Sequence, residues 1–245
     1  MTLTPLLKAQ GLSKRFGGIV VAKDVNLELF KGQCLGVIGP NGAGKSSLFG
    51  ILDGSIRLDA GRVDLAGHEI TNMPQFRRAR AGITRAYQIP QPFKDLTVFE
   101  NVLVASTITA GLSGSDANDL ARDMVHLTGL GPRIERKAGG LALLDRKRLE
   151  LAKALATRPK VLMLDEIAGG LTEPEVMQLL ELITAIKPQV ATIWIEHVAH
   201  ALVAAADHLM VLHFGEKIAE GPVRETLDSP EVRRIYMGID IDAAH

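Results

Sequence analysis

"CLGVIGPNGAGKSSLFGILDG", Cys34–Gly54, joins an apolar run, a glycine-rich turn and a short helical stretch closed by Gly54. Within it, Gly39–Ser46 fits G-x-x-x-x-G-K-[ST], with the strand before it and the helix after it that give this pattern its mechanism. Glycines let backbone N–H groups turn inward, and a helix N-terminus adds positive potential, so phosphate oxygens can be cradled. The candidate phosphate-contacting residues are Asn41, Gly42, Ala43, Gly44, Lys45, Ser46 and Ser47. Lys45 would reach the β- and γ-phosphates of a nucleotide, and the Ser46 hydroxyl would serve Mg²⁺.

Upstream, "GIVVAKDVNLELFKGQCLGVIG" alternates and then runs apolar, and Lys31-Gly32 predicts a hairpin leading into a central strand. "GRVDLAGHEI" predicts a strand pair around Gly67. From about Pro90 to Thr157 the pattern turns helical, in "TVFENVLVAS", "DANDLARDMVHLTGL" and "DRKRLELAKALA". Buried strands return in "VLMLDE" and "ATIWIE", short apolar runs ending in acids, as central parallel strands do when chemistry sits at their carboxyl ends. The expected layout is an α/β core interrupted by a helical insert. In the tail, "DSPEVRRIYMG" places Ser229 as N-cap before Pro230.

The strand "VLMLDE" would carry Asp165 to a metal and Glu166 to the γ-phosphate, where it could polarise an attacking water. The competing reading, a solvated strand end, loses ground beside a phosphate loop. Bulk composition narrows the partners. Lys+Arg and Asp+Glu balance at 28 each, so no general attraction to nucleic acid or acidic lipid is expected. The arginines of "RRARAGITR" (Arg77, Arg78, Arg80, Arg85) are therefore read as a solvated face. The one cysteine, Cys34, reads as a small buried hydrophobe and cannot form an intrachain disulfide. The start carries no basic segment followed by an apolar core, and "VAHALVAAADHLMVLHF" is broken by His200, Asp207, His208 and His213. A soluble chain that reaches a membrane only by docking is expected.

The order and spacing of these motifs resemble the ATP-binding subunits of ABC transporters, from about Leu6 to Gly238. The resemblance implies a RecA-like P-loop NTPase core with an antiparallel β subdomain and an inserted helical subdomain. It is expected to be one domain over 1–245, with the α/β core at 1–89 and 158–245 and the helical part at 90–157. By resemblance, Phe16 in "LSKRFGG" stacks on adenine and Gln88 in "RAYQIPQPF" contacts metal and water. His197 in "IWIEHVAH" is the switch histidine that reaches the γ-phosphate. The implied cofactors are ATP and Mg, with Ser46, Gln88 and Asp165 serving the metal and Glu166, His197 and Gln88 the reaction.

The finer pattern resembles the larger of the two ATPase subunits of branched-chain amino-acid importers, in "FGGIVVAKDVNLEL", "RAYQIPQPFKDLTVFENVLVA" and "LMLDEIAGGL". This implies integral membrane permease partners, a head-to-tail ATPase dimer, a place on the cytoplasmic face of the inner membrane, and no nucleic-acid partner. Residues around Gln91–Asn101, Phe93 and Glu100 among them, would lie near the groove for the permease's cytoplasmic helix. Where the family carries leucine-serine-glycine-glycine-glutamine, this chain has Leu141-Ala142-Leu143-Leu144-Asp145. Ile167 and Thr172 also replace the family's usual proline and its aspartate or asparagine. Each site in such a dimer joins one chain's phosphate loop to the other's signature. The expected assembly is therefore an asymmetric heterodimer, with a different chain completing the site built on Lys45, Asp165, Glu166 and His197. Asp145 would repel a γ-phosphate brought near it. The alternatives are an ABC ATPase with a non-import duty such as lipid export, a P-loop phosphotransferase or GTPase, and a binding-only module. The second of these lacks an Asn-Lys-x-Asp guanine-reading motif here.

Overall fold

In the computed structural model, which describes residues 4–197 and 199–236, the chain opens with two antiparallel strands, β1 (Leu7–Phe16) and β2 (Ile19–Leu29). Then come β3 (Cys34–Ile38), α1 (Lys45–Asp53), β4 (Ala60–Leu65), β5 (His68–Glu69), α2 (Gln75–Ala81) and β6 (Ile83–Ala86). A helical stretch follows: α3 (Val98–Ile108), α4 (Gly114–Leu127) and α5 (Leu143–Ala156). The chain returns through β7 (Val161–Asp165), α6 (Glu173–Ile186), β8 (Ala191–Ile195), α7 (Ala199–Ala205), β9 (His208–His213) and β10 (Glu216–Pro222). It ends in α8 (Val223–Asp228) and α9 (Pro230–Tyr236). Met237 and Gly238 of the tail motif lie outside the described residues, as does Val198. The Ser229 cap forms: the Val232 N–H donates to its hydroxyl at 3.3 Å.

The strands sort into two sheets, an antiparallel one in the order β2-β1-β4-β5 and a mainly parallel one in the order β10-β9-β3-β8-β7-β6. This is the P-loop NTPase fold. The Lys31-Gly32 turn exists, yet the hairpin expected there does not, because β2 pairs with β1 while β3 enters the other sheet. The reason is visible in the residues. Every position of β3 is buried, so it needs cover on both faces and a central place in a parallel sheet. The burial of β2 alternates along its second half, which suits an antiparallel sheet with one face in water.

Alternation also sorts the core. Leu35, Val37, Val161, Met163, Ile193 and Ile195 face one layer, shared with α1 and the antiparallel sheet. Cys34, Ile38, Leu162, Leu164 and Trp194 face the other, shared with α6 and α7. Buried there, the Cys34 thiol is pushed up to about 12 by desolvation, with Lys187 opposing the shift and Asp207 adding to it. A thiol reagent is expected to leave the native chain unmodified and label it fully in denaturant. Rapid native labelling would contradict this burial.

Arg78 corrects the expectation of a solvated arginine face. It is 2 % exposed, and its guanidinium donates to the carbonyls of Ile51 and Leu52 at 2.8 Å, Thr71 at 2.7 Å and Met73 at 3.0 Å. Ile51 and Leu52 lie in the last turn of α1, where carbonyls have no partner within the helix. Arg78 therefore caps the helix that carries the phosphate loop. Arg85 is also largely withdrawn from water, whereas Arg77 and Arg80 are exposed.

Candidate active site

The parallel sheet brings the carboxyl ends of β3, β6, β7 and β8 to one edge, so residues far apart in sequence converge there. The phosphate loop follows β3. Its last glycine, Gly44, is left-handed at φ 100°, and a Cβ there would run into the Val21 carbonyl of β2. The loop is also tied to the β9–β10 turn, where the Gly215 N–H donates to Ala43 O at 2.9 Å. Helix α1 starts with no side-chain cap and no acidic residue in its first turn, leaving its N–H groups for an anion. By contrast, α3 is capped by its own Thr97 and Glu100. Lys45 is buried, and its ammonium rests on Gly39 O at 2.7 Å and Pro40 O at 3.1 Å. Burial lowers its pKa, against the opposing charges of Glu166 and Asp165. Asn41, Gly42 and Ser46 are exposed, Ser47 is half-buried, and Ala43 is buried.

Gln88, Glu166 and His197 come together by direct contact. The Gln88 amide donates to Glu166 Oε2 at 2.7 Å, and His197 Nε2 lies 2.9 Å from Glu166 Oε1. Gln88 follows β6, Glu166 follows β7 and His197 follows β8, so strand order 8-7-6 makes the trio. Glu166 holds a positive φ of 46°, unusual for a residue other than glycine, and its N–H donates to Ile195 O at 2.9 Å. Asp165, one residue earlier, is 6 % exposed and ion-paired with Arg85. Phe16 ends β1 and is 50 % exposed, with Lys14 Nζ 5.2 Å from its ring centroid. Its partner Ile19 lies two residues before Val21, the segment against which Gly44 packs.

Three residues outside the sequence reading stand behind this trio. Glu196, 1 % exposed, accepts from the N–H of Ala168 at 2.7 Å and of His197 at 3.2 Å, tying the turn after Glu166 to the histidine. Lys147 of α5, also buried, donates to Gln88 O at 2.5 Å, and Lys153 one to two turns on reaches Gln91 O at 3.2 Å. Burial lowers the Lys147 pKa, against the charges of Glu196, Glu166, Asp165 and Glu150. The third is Arg85. The available signal for Lys147 was its place four residues before buried Leu151, on the inward face of a helix that reads as basic.

The signature segment has its own geometry. Leu141 is buried, Leu143 opens α5 and is exposed, and a Cβ built on Gly170 would sit 3.3 Å from Leu143 Cδ2. Asp145 has cationic partners within its own chain. It is buried and paired with Arg133 Nε at 2.9 Å, with Arg148 at 3.8 Å. Ile167 packs into the second core layer, and Thr172 is the N-cap of α6, giving its N–H and hydroxyl to Glu175 at 2.8 Å. Glu100 is likewise engaged at home, accepting from the Thr97 N–H at 2.7 Å.

The donor set fits a magnesium ion. A serine hydroxyl, a carboxylate and an amide oxygen are hard ligands, and Gln88 keeps its Oε1 as acceptor while its amide N–H holds Glu166. Among the described residues no group of three or more His, Cys, Asp or Glu side chains could cage a metal. Magnesium shared between one or two protein oxygens and substrate phosphates needs no such cage.

Residues 22–169 match the ABC transporter family. The chain is 35 % identical to the high-affinity branched-chain amino acid transport ATP-binding protein BraF of Pseudomonas aeruginosa, over 96 % of this chain and 98 % of that one. It is 30 % identical to the lipopolysaccharide export system ATP-binding protein LptB of Acidithiobacillus ferridurans, with the same shares covered. In structure it is similar to the ADP conformation of MJ1267, an ATP-binding cassette of an ABC transporter. The TM-score is 0.86 and the identity 30 %, over 96 % of this chain and 99 % of that one. A phosphate loop on β3, acids at the end of β7 and a histidine after β8, in a chain aligned end to end with such cassettes, lead to one conclusion: the chain belongs to the ABC transporter family, among its ATP-binding, ATP-hydrolysing members.

Proposed function

We propose that this chain hydrolyses ATP to energise import of branched-chain amino acids or a related small solute. The observation that carries the substrate class is the 35 % identity to BraF along nearly its whole length. The 30 % identity to LptB favours lipid export as the second reading. Transport assays in cells with and without this chain decide between them. Uptake of labelled leucine, isoleucine or valine that vanishes with this chain supports import, and intact uptake without it overturns that reading.

In the reaction we assign, the phosphate loop and Lys45 hold the β- and γ-phosphates, and Phe16 stacks on the base. Ser46, Asp165 and Gln88 would hold Mg²⁺, which when bound supplies charge neutralisation at the phosphates. Glu166 accepts the proton of a water as its oxygen bonds to the γ-phosphorus and the bond to the β-phosphate oxygen breaks, leaving ADP and phosphate. His197 and Gln88 hold the Glu166 carboxylate in line for this.

We assign the chain to the cytoplasmic face of the inner membrane, held there by permease subunits. No helix among the described residues is long and apolar enough to cross a membrane. The proposed subdivision is an α/β core at 1–89 and 158–245 with a helical part at 90–157. The exposed Phe93 would meet the permease, on a loop braced by buried Asn101, which bonds the backbone of Phe93 and Thr97.

The partner ATPase is proposed to be a different chain. Leucines at 143 and 144 limit backbone approach where the family has glycines, so the site completed by this chain's own signature should turn over slowly. Light scattering of Glu166→Gln with Mg·ATP is expected to show a monomer alone and a closed dimer once a subunit with an intact signature is added. A homodimer formed by this chain alone would sink the assignment.

A further inference from the structure

Arg85 joins three elements that meet under the phosphate site. It stands on β6 opposite Met163 of β7, and its NH2 bonds Asp165 Oδ2. Its NH1 reaches Asp53 Oδ2 at 3.2 Å, on the last residue of the helix whose first turn carries Lys45 and Ser46. The guanidinium is clasped by two rings, 5.4 Å from the Phe49 centroid and 4.9 Å from that of Tyr87. Little of Arg85, Asp53 or Asp165 is open to water.

Two acids, Asp53 and Asp165, thus share the one guanidinium of Arg85 beside the phosphate loop. Among the described residues Asp165 accepts no other hydrogen bond, and Lys45 rests instead on its own loop. One oxygen of Asp165 is thus held and the other is left over. A lysine could not reproduce this, because a point charge cannot bridge two carboxylates with a fixed fork.

We propose that Arg85 is a positioning residue for the divalent cation: by gripping Asp165 Oδ2 and Asp53 together, it sets the Asp165 carboxylate so that the remaining oxygen serves the metal of the nucleotide complex. The inference rests on the assignment of Asp165 to that metal. Partners that orient a ligating carboxylate typically govern metal affinity by roughly 10–100-fold.

The test uses the full chain saturated with a non-hydrolysable ATP analogue, and Mn²⁺ as an oxygen-seeking probe read by electron paramagnetic resonance. Arg85→Gln is expected to weaken Mn²⁺ binding by roughly 10–100-fold, with metal-free nucleotide affinity nearly unchanged and Arg85→Lys in between. Mn²⁺ binding that is unchanged or tighter in folded Arg85→Gln overturns the proposal, as does an equal loss for metal-free nucleotide. Should Arg85→Gln fail to fold, Arg85→Lys decides by the same criteria. Asp165→Asn separates the two layers. If it leaves Mn²⁺ affinity intact, the metal assignment of Asp165 fails. If it abolishes binding while both Arg85 variants keep it, only the role of Arg85 fails.

Discussion

Glu166→Gln lowers ATP turnover by about 10²–10⁴-fold, the range of a positioned general base, and leaves ATP binding in place. The substitution keeps the volume, and glutamine can still accept from Gln88 and meet His197, so the 2.7 Å and 2.9 Å contacts have replacements. What it removes is the capacity to take a proton from water. Phosphate release from the chain assembled with its partner ATPase, at saturating Mg·ATP, measures the rate, and equilibrium binding of a fluorescent nucleotide measures the affinity. Native turnover in the variant would remove Glu166 from the reaction. Nucleotide affinity lost together with turnover would show a collapsed site instead.

Arg78→Ala destabilises the chain by about 3 kcal/mol, because four carbonyl partners, two buried and two partly buried, lose a charged donor at once. For a chain of this size that is a fall in Tm of roughly 6–12 °C. Arg78→Lys recovers only part of it, since three donors on a point charge cannot reach the carbonyls of Ile51, Leu52, Thr71 and Met73 together. Thermal denaturation without nucleotide reads the effect, and a Tm that does not move would show that water replaces the guanidinium. The expected site of damage is α1. Its last-turn carbonyls lose their cap, so nucleotide affinity falls with stability although Arg78 lies at the far end of the helix from Lys45.

Local patterns carried most of the site. The glycine loop, the acids ending "VLMLDE" and the histidine after "ATIWI" are legible because each sits at the end of an apolar run, where a parallel strand exposes its carboxyl end. Arg78 and Arg85 were misread for a physical reason, while Arg77 and Arg80 are exposed as expected. A charged residue in a polar neighbourhood looks solvated, and whether it is depends on carbonyls and carboxylates supplied by other elements. Arg78 finds its partners on α1 and the segment 71–73, Arg85 on α1 and β7. Lys147 is the same case, reaching a backbone carbonyl 59 positions away. The hairpin at Lys31-Gly32 failed in a related way: the turn is local, but sheet membership depends on what covers each strand.

By itself the sequence determined the phosphate loop, the α/β class with its helical stretch, and the identity of Asp165, Glu166, Gln88 and His197 as candidates. The phosphate loop, the class and the two acids follow from short-range periodicity and from chemistry that requires particular residue types at fixed spacing, whereas Gln88 and His197 were marked by the resemblance to ABC transporter ATP-binding subunits. The tertiary structure alone decided that Gln88, Glu166 and His197 touch, that Asp145 is neutralised by Arg133, and that Arg85 grips Asp165. Strand order sets those contacts, and strand order is a competition for burial among all the apolar faces of the chain, which no window of the sequence contains.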